Sequence, residues 1–394
     1  MHGSADRPGR PPACPRRVCF VVEALGPGGA ERVISLLATR WAEAGWDVAI
    51  CTFDCARDRI YHPLDSRVRL LRLGDGAAEQ GGLMRFAALL RRIIRLRGLL
   101  LREQPDVVLS FLTKINILTL AAAIGTRLKI VVSERNNPAR QQAHPIWTLL
   151  LKVLIRRADA IVVQTKRVAD HVPPSARSRT RVIPNPIEMP PGRPASYDAE
   201  GPLQCVAVGR LTAQKGFDLL IDAFARVAPD NPRWSLDIWG EGAEREALEE
   251  RARTLGMAGR IHLRGVSTIQ GGWAEGASAF VLSSRYEGFP NVLGEAMAGG
   301  LPVLAFDCPY GPREMIQNGH DGLLVANGNV VALTRALDHL MKDAATRRAL
   351  GENAAISARR FRLDVVARQW EARMEGLAGS ARFHEPPAAR AVAR

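Results

Sequence analysis

Short, continuous apolar runs alternate along this chain with longer stretches in which apolar residues recur every three or four positions. The runs at 17–23, 46–53, 68–73, 107–111, 130–133, 158–165 and 181–183 have the length and character of strands buried on both faces. The stretches from 31 to about 44, 84–103 and 146–157 read as amphipathic helices. The pattern then breaks and restarts. Strands are expected at 203–208, 234–239, 261–265, 279–284 and 301–306, with a turn and strand over 318–325. Helices are expected from 216 to about 227 and over 292–298, and three further helical segments end near Leu377. Strands that alternate with helices form βαβ units and parallel sheets, which predicts an α/β protein of two Rossmann-like, doubly wound domains facing a cleft.

The break carries its own signal. Pro184-Asn185-Pro186-Ile187-Glu188-Met189-Pro190-Pro191-Gly192 is too rich in proline and glycine to continue a helix. It divides the chain into a domain over 17–184, a linker over 185–200 and a second domain over 201–360. The segment 361–377 is a helix, and the Pro/Arg/Gly-rich lead 1–16 and the Ala/Pro/Arg-rich tail 378–394 are expected to be disordered. The lead lacks the apolar core of a signal peptide.

Composition narrows the class. A chain of 394 residues, 47% hydrophobic and 24% charged, can bury two cores. No apolar run approaches the roughly 20 residues that span a bilayer. Six cysteines without a C-x-x-C pair imply neither a disulfide framework nor a zinc site, which makes the cytoplasm the expected compartment. The net charge of +14 is confined to one half: residues 1–190 hold 30 Lys and Arg against 16 Asp and Glu, whereas 191–394 hold 24 of each. A basic half asks for an anionic partner. The sequence holds no aromatic-interleaved basic motif, so nucleic acid is not that partner. The arginines at 85, 91, 92, 95, 97 and 102, interleaved with apolar residues, and the apolar–basic segment 146–157 point to a peripheral contact with an anionic membrane.

The chemistry concentrates at strand ends, where ligands of open α/β sheets bind. Arg285 to Gly300 reads R-Y-E-G-F-P-N-V-L-G-E-A-M-A-G-G. Glu287 falls at the mouth of one strand, beside the start of a helix that carries Glu295. The free N–H groups of Phe289, Pro290-flanked Asn291 and Val292 favour anionic oxygens. In Gly209-Arg210-Leu211-Thr212-Ala213-Gln214-Lys215-Gly216 another strand delivers two cations to its carboxyl end. Gly28 and Gly29 form a glycine-rich turn after the first strand, and Ser133-Glu134-Arg135-Asn136-Asn137-Pro138 a polar cluster after the strand at 130–133.

E-G-F-P-N-V-L-G-E with its upstream G-R-L-x-x-x-K-G resembles the E-x7-E pattern of retaining, nucleotide-sugar-dependent glycosyltransferases of family 4, which have the GT-B fold. G-G-A-E-R-V resembles the family's first loop, I-P-N-P-I its interdomain linker, and the resemblance runs from about residue 17 to 377. It implies that Arg210 and Lys215 hold the donor diphosphate, that Glu287 acts beside the reacting sugar carbon, and that Glu295 binds ribose. Gly28, Gly29, Gly288, Phe289, Pro290, Asn291 and Val292 would complete the donor site, and the last helix would cross back to the first domain. S-E-R-N-N-P resembles a bacterial branch that assembles lipid-linked oligosaccharides and exopolysaccharide. Glu134, Arg135 and Asn136 then stand where an acceptor binds, and the histidine that many relatives carry near this point is missing.

Transfer of a hexose or N-acetylhexosamine from a nucleoside-diphosphate sugar, UDP-sugar above all, to a polyprenyl-diphosphate-linked glycan is the expected function. No D-x-D triad occurs, so no cofactor and no metal are expected. Two rivals share parts of this pattern. A UDP-sugar 2-epimerase has the same architecture but wants acid and base groups that the sequence does not locate. A non-catalytic nucleotide-sugar-binding partner would be expected to lose one of Arg210, Lys215, Glu287 or Glu295.

Overall fold

The computed structural model describes residues 16–74, 83–135, 145–188, 197, 201–267, 269 and 271–378. Asn136, nearly all of the terminal segments and much of the linker lie outside these residues.

The first domain runs β1 (Arg17–Val22), α1 (Gly29–Glu43), β2 (Asp47–Thr52), β3 (Arg69–Arg72), α2 (Leu83–Glu103), β4 (Val107–Phe111), α3 (Thr113–Ala122), β5 (Ile130–Glu134), α4 (Pro145–Leu154), β6 (Ala160–Val163), α5 (Lys166–Ala169) and β7 (Thr180–Val182). Its strands lie in the order β3-β2-β1-β4-β5-β6-β7. The second domain runs β8 (Leu203–Val208), α6 (Phe217–Val227), β9 (Trp234–Trp239), α7 (Arg245–Thr254), β10 (Ile261–Gly265), β11 (Ala279–Leu282), α8 (Asn291–Ala298), β12 (Val303–Phe306), α9 (Pro312–Met315), β13 (Leu323–Val325), α10 (Val330–Lys342) and α11 (Ala344–Ala358), in the order β10-β9-β8-β11-β12-β13. Every ladder between these strands is parallel. Each sheet winds outward in both directions from its first strand, so each has a switch point, between β1 and β4 and between β8 and β11.

Parallel sheets need cover on both faces, and the apolar strands supply it. Cys19, Val21 and Val108 face one cluster, packed under α2 and α3; Phe20, Val22 and Leu109 face the other, packed under α1. The buried thiols of Cys19 and Cys205 behave as small apolar groups, and burial pushes both up to about 12.

Helices α3 and α7 depart from the pattern read in the sequence, as do the short α5 and α9. Helix α3 follows β4 directly, and most of its residues are buried, Ile115, Leu118 and Leu120 among them. A helix covered on all sides has no polar face, so it lacks the amphipathic period by which helices are recognised. Helix α7 is the opposite case: of its ten residues only Leu248 and Ala252 are buried.

The last helix, α12 (Leu363–Ala378), leaves the second domain and packs on the first. Trp370 is fully buried there, stacked on Phe111 with centroids 6.0 Å apart. Trp41 Nε1 donates to Glu371 Oε1 at 2.9 Å. The linker runs beside this crossing, with Ile187 N donating to Phe361 O at 2.7 Å. Two chain crossings therefore tie the domains together.

Candidate functional site: the cleft between the two sheets

The switch point of the second sheet opens on the cleft, and the chain reaches it from two loops. The loop after β8 carries Arg210 and Lys215; the loop after β11 carries Ser284 and Glu287. Lys215 Nζ donates to Glu287 Oε1 at 2.7 Å, and Ser284 Oγ donates to the same oxygen at 2.6 Å. The side chains of Lys215 and Glu287 are only 14% and 8% exposed. Gly216 makes this approach feasible. It has φ +63°, and a Cβ there would meet the Ser283 carbonyl oxygen at 2.2 Å. Ser283 Oγ in turn donates to Lys215 O at 2.9 Å, which locks the two loops together. Residues 72 apart in sequence thus meet as one charged pair.

Helix α8 starts at Asn291, with Pro290 as its cap residue, and its first N–H groups have no partner within the helix. Phe289 is buried against Phe361, in edge-to-face contact at 5.7 Å, which fixes the loop ahead of the helix. Glu295 lies one turn in and is 4% exposed. Burial raises its carboxyl above the usual range; the nearby Arg32 guanidinium pulls the other way.

Arg32 comes from the opposite domain. It sits in the first turn of α1, after Gly28 and Gly29, and its Nη1 donates to Glu295 Oε1. A second nitrogen lies 3.6 Å from Glu188 of the linker. Gly29 brings the two domains close: a Cβ there would come 3.1 Å from Asn291 Nδ2. Arg32, Glu295, Arg210, Gly209, Trp239 and Gly240 line one cavity of about 840 Å³ together with Tyr61 and His62. Arg210 is exposed to it.

The structure separates the polar cluster after β5. Arg135 points inward. Its Nε donates to Ser133 Oγ at 2.7 Å, its Nη1 donates to Asn185 Oδ1, and its guanidinium lies 4.9 Å from the Phe111 ring centroid. Burial lowers it to about 9. Asn185 Nδ2 continues the chain of bonds to Asn291 Oδ1 at 2.7 Å, so Arg135 braces the start of α8 through the linker. Glu134 accepts from Thr113 Oγ1 at 2.7 Å and lines a separate pocket of about 290 Å³ with Lys152, His171 and apolar residues of α4 and β6. Asn136 lies outside the described residues. Among those residues no three His, Cys, Asp or Glu side chains come together as a metal-binding group would require.

Arg32, Ser284, Asn185 and Glu188 were not singled out from sequence. Arg32 stands within G-G-A-E-R-V and Asn185 and Glu188 within the linker, so each lay inside a motif. Nothing in the motif told which of its polar side chains would cross the cleft.

Two doubly wound sheets bring cationic and acidic side chains together between them, an arrangement whose chemistry suits a phosphate-bearing ligand. The family model described as glycosyl transferases group 1 matches residues 193–356, and that described as glycosyl transferase 4-like domain matches residues 28–186. The chain belongs to the GT-B glycosyltransferases of the family 4 type. It is 34% identical over 271 residues to an exopolysaccharide phosphotransferase of Streptomyces coelicolor, a match that covers 68% of this chain but 28% of that one. It spans 62% of the length of an uncharacterized glycosyltransferase of Methanocaldococcus jannaschii. It is also 25% identical over 357 residues, 90% of this chain and 97% of the other, to a GalNAc-alpha-(1->4)-GalNAc-alpha-(1->3)-diNAcBac-PP-undecaprenol alpha-1,4-N-acetyl-D-galactosaminyltransferase of Campylobacter jejuni. Among solved structures it is similar in fold to the lipopolysaccharide outer core galactosyltransferase WaaB, with TM-score 0.72, 20% identity and coverage of 91% and 98% of the two chains.

Proposed function

We propose that the protein transfers a hexose or N-acetylhexosamine from a UDP-sugar to a lipid-linked glycan, with retention of anomeric configuration and without a metal ion. The observation that carries this reading is the Lys215–Glu287 pair at 2.7 Å at the switch point of the second sheet. Departure of a nucleoside diphosphate leaves about two negative charges on its oxygens, and cations at fixed positions stabilise that charge as it develops. Arg210 and Lys215 supply them. The N–H groups of Gly288, Phe289, Asn291 and Val292 bind sugar and phosphate oxygens, with Pro290 setting the turn. Glu287, steadied by Ser284, accepts from sugar hydroxyls and favours the positive charge that builds at the anomeric carbon. Glu295 accepts from the ribose. Gly28 and Gly29 let the opposite loop approach the donor.

In the reaction the bond from the anomeric carbon to the diphosphate oxygen breaks. The acceptor hydroxyl attacks the same face, and its proton passes to the departing phosphate oxygen. Glu134, Arg135 and Asn136 are read as the acceptor-binding residues, with Arg135 donating to Asn185 of the linker. The name of the Campylobacter relative, which covers nearly the whole chain, supports an undecaprenyl-diphosphate-linked acceptor.

An anionic membrane surface is the further partner in this reading. Leu90, Ile94 and Leu101 of α2 and Leu149 and Val153 of α4 are exposed, among Arg91, Arg95, Arg102, Lys152 and Arg156. Such a face suits a layer of anionic headgroups. None of the helices described is long and apolar enough to cross a membrane.

Calorimetric titration of UDP, GDP and ADP in EDTA tests the donor site. Binding of one nucleotide without metal, weakened in Lys215→Ala, is expected. Binding that returns only with magnesium would refute the metal-independent mechanism.

A further inference from the structure

We propose that Arg32 gates the donor site: it occupies Glu295 while the cleft is free of nucleotide, and passes to the donor diphosphate when the ribose takes Glu295. The inference rests on the reading of Glu295 as the ribose acceptor.

Three observations carry it. First, the carboxylate that would receive two ribose hydroxyls is already engaged by a cation from the other domain, in a place where it is 4% exposed. A nucleoside therefore meets an occupied acceptor and must displace a buried ion pair to reach it. Second, Arg32 and Arg210 line the same cavity, so a displaced guanidinium stays beside the phosphates that Arg210 faces. Third, the Arg32 guanidinium is only partly committed. Its Nε is buried with no hydrogen-bond partner, and Glu188 lies at 3.6 Å, beyond hydrogen-bond distance. A diphosphate offers it the bidentate geometry that a single carboxylate oxygen does not. Gly29 lets α1 come close to α8 at this point, since a Cβ there would lie 3.1 Å from Asn291 Nδ2, so the Arg32 side chain reaches Glu295 from across the cleft.

The exchange favours a ligand that carries both halves. Ribose alone displaces Arg32 and gives it nothing in return. Ribose with its diphosphate displaces it and provides a new anion. A binding site whose competent form is only a fraction of the population binds with an affinity reduced by that fraction, so the ion pair penalises a bare nucleoside. Arg32 thereby discriminates a nucleoside diphosphate from a nucleoside before any sugar is read, and it reports donor arrival to the first domain, where the acceptor binds.

The test is calorimetric titration of the full chain with uridine against UDP, guanosine against GDP and adenosine against ADP. The unsubstituted protein, Arg32→Gln, Arg32→Lys and Glu295→Gln are compared. In Arg32→Gln the nucleoside should bind at least as tightly as to the unsubstituted protein, and the diphosphate about tenfold more weakly, the loss of roughly one charge-assisted contact. The ratio of the two affinities then contracts tenfold or more. Arg32→Lys keeps the charge across the domain contact without the fork. It should restore part of the ratio, and it serves the same comparison if Arg32→Gln melts early. A nucleoside that binds more weakly to Arg32→Gln, or an unchanged ratio in a protein with unchanged circular dichroism, would overturn the gate. In Glu295→Gln the nucleoside should weaken; if it does not, the ribose reading fails and the gate falls with it. Binding of none of the three pairs to the unsubstituted protein would refute the donor site itself.

Discussion

Removing both partners of the Lys215–Glu287 pair should cost less than the two single removals added together. The pair is closed at 2.7 Å and nearly shut off from solvent, and Glu287 keeps the Ser284 hydroxyl when Lys215 is lost. Breaking a buried ion pair by deleting one charge typically costs 3–5 kcal/mol, because the other charge is left behind. The remaining Ser284 bond trims this, so Lys215→Met should destabilise the second domain by about 2–3 kcal/mol. For a domain of this size that lowers the melting temperature by about 4–12 °C. Glu287→Gln leaves an amide oxygen that still accepts from the ammonium, and should cost about 1 kcal/mol. The double variant should lose less than the sum, with a coupling of about 1–2 kcal/mol. The assay is guanidinium unfolding of the four proteins followed by tryptophan fluorescence and circular dichroism. A Lys215→Met loss under about 0.5 kcal/mol, or a coupling indistinguishable from zero, would mean that the two side chains do not pair in solution. The donor site would then lack the prearranged cation on which the proposed chemistry depends.

Three other outcomes follow from the same structure. Trp370→Ala should destabilise the first domain by about 3–5 kcal/mol and free α12 from it, seen as new proteolytic cleavage within 363–378; an unchanged melting curve would contradict the crossing. Burial raises the Glu295 carboxyl, so its folded state holds a proton more tightly than its unfolded state. That contribution is fully present below the usual carboxylate range and is lost as pH rises through the folded value. The melting temperature of Glu295→Gln relative to the unsubstituted protein should therefore rise from pH 4 to pH 7, and a flat or falling difference would reverse the sign of this argument. Ile94→Asp, at a side chain 60% exposed on α2, should leave folding intact and abolish cosedimentation with anionic vesicles but not alter donor binding; retained cosedimentation would remove α2 from the membrane face.

How much of this was legible beforehand differs by element. The strands at 107–111, 203–208, 234–239 and 261–265 coincide with β4, β8, β9 and β10, because a strand buried on both faces is an apolar run with sharp ends. The basic helix at 84–103 was also legible, but the fate of its arginines was not. Arg97 Nη1 donates to Ala122 O at 2.8 Å, and Arg92 lies 4.8 Å from the Phe53 ring, so these two pack inward while Arg91, Arg95 and Arg102 stay exposed. The sequence spacing of arginines on a helix does not tell which neighbours the helix will have.

The sequence by itself determined the two-domain α/β architecture, the Pro-rich division between the halves and the chemical types gathered at the strand ends. These follow from local rules: burial sets the apolar period, and proline and glycine set the breaks. Only the tertiary structure decided that Lys215 would close on Glu287, that Arg135 would turn inward to brace α8 through Asn185, and that Arg32 would cross the cleft to Glu295. Such contacts join residues up to 263 apart in sequence. No local preference of either partner encodes them. They arise when the folding of two sheets, and the return of α12 to the first, fixes the distance across the cleft.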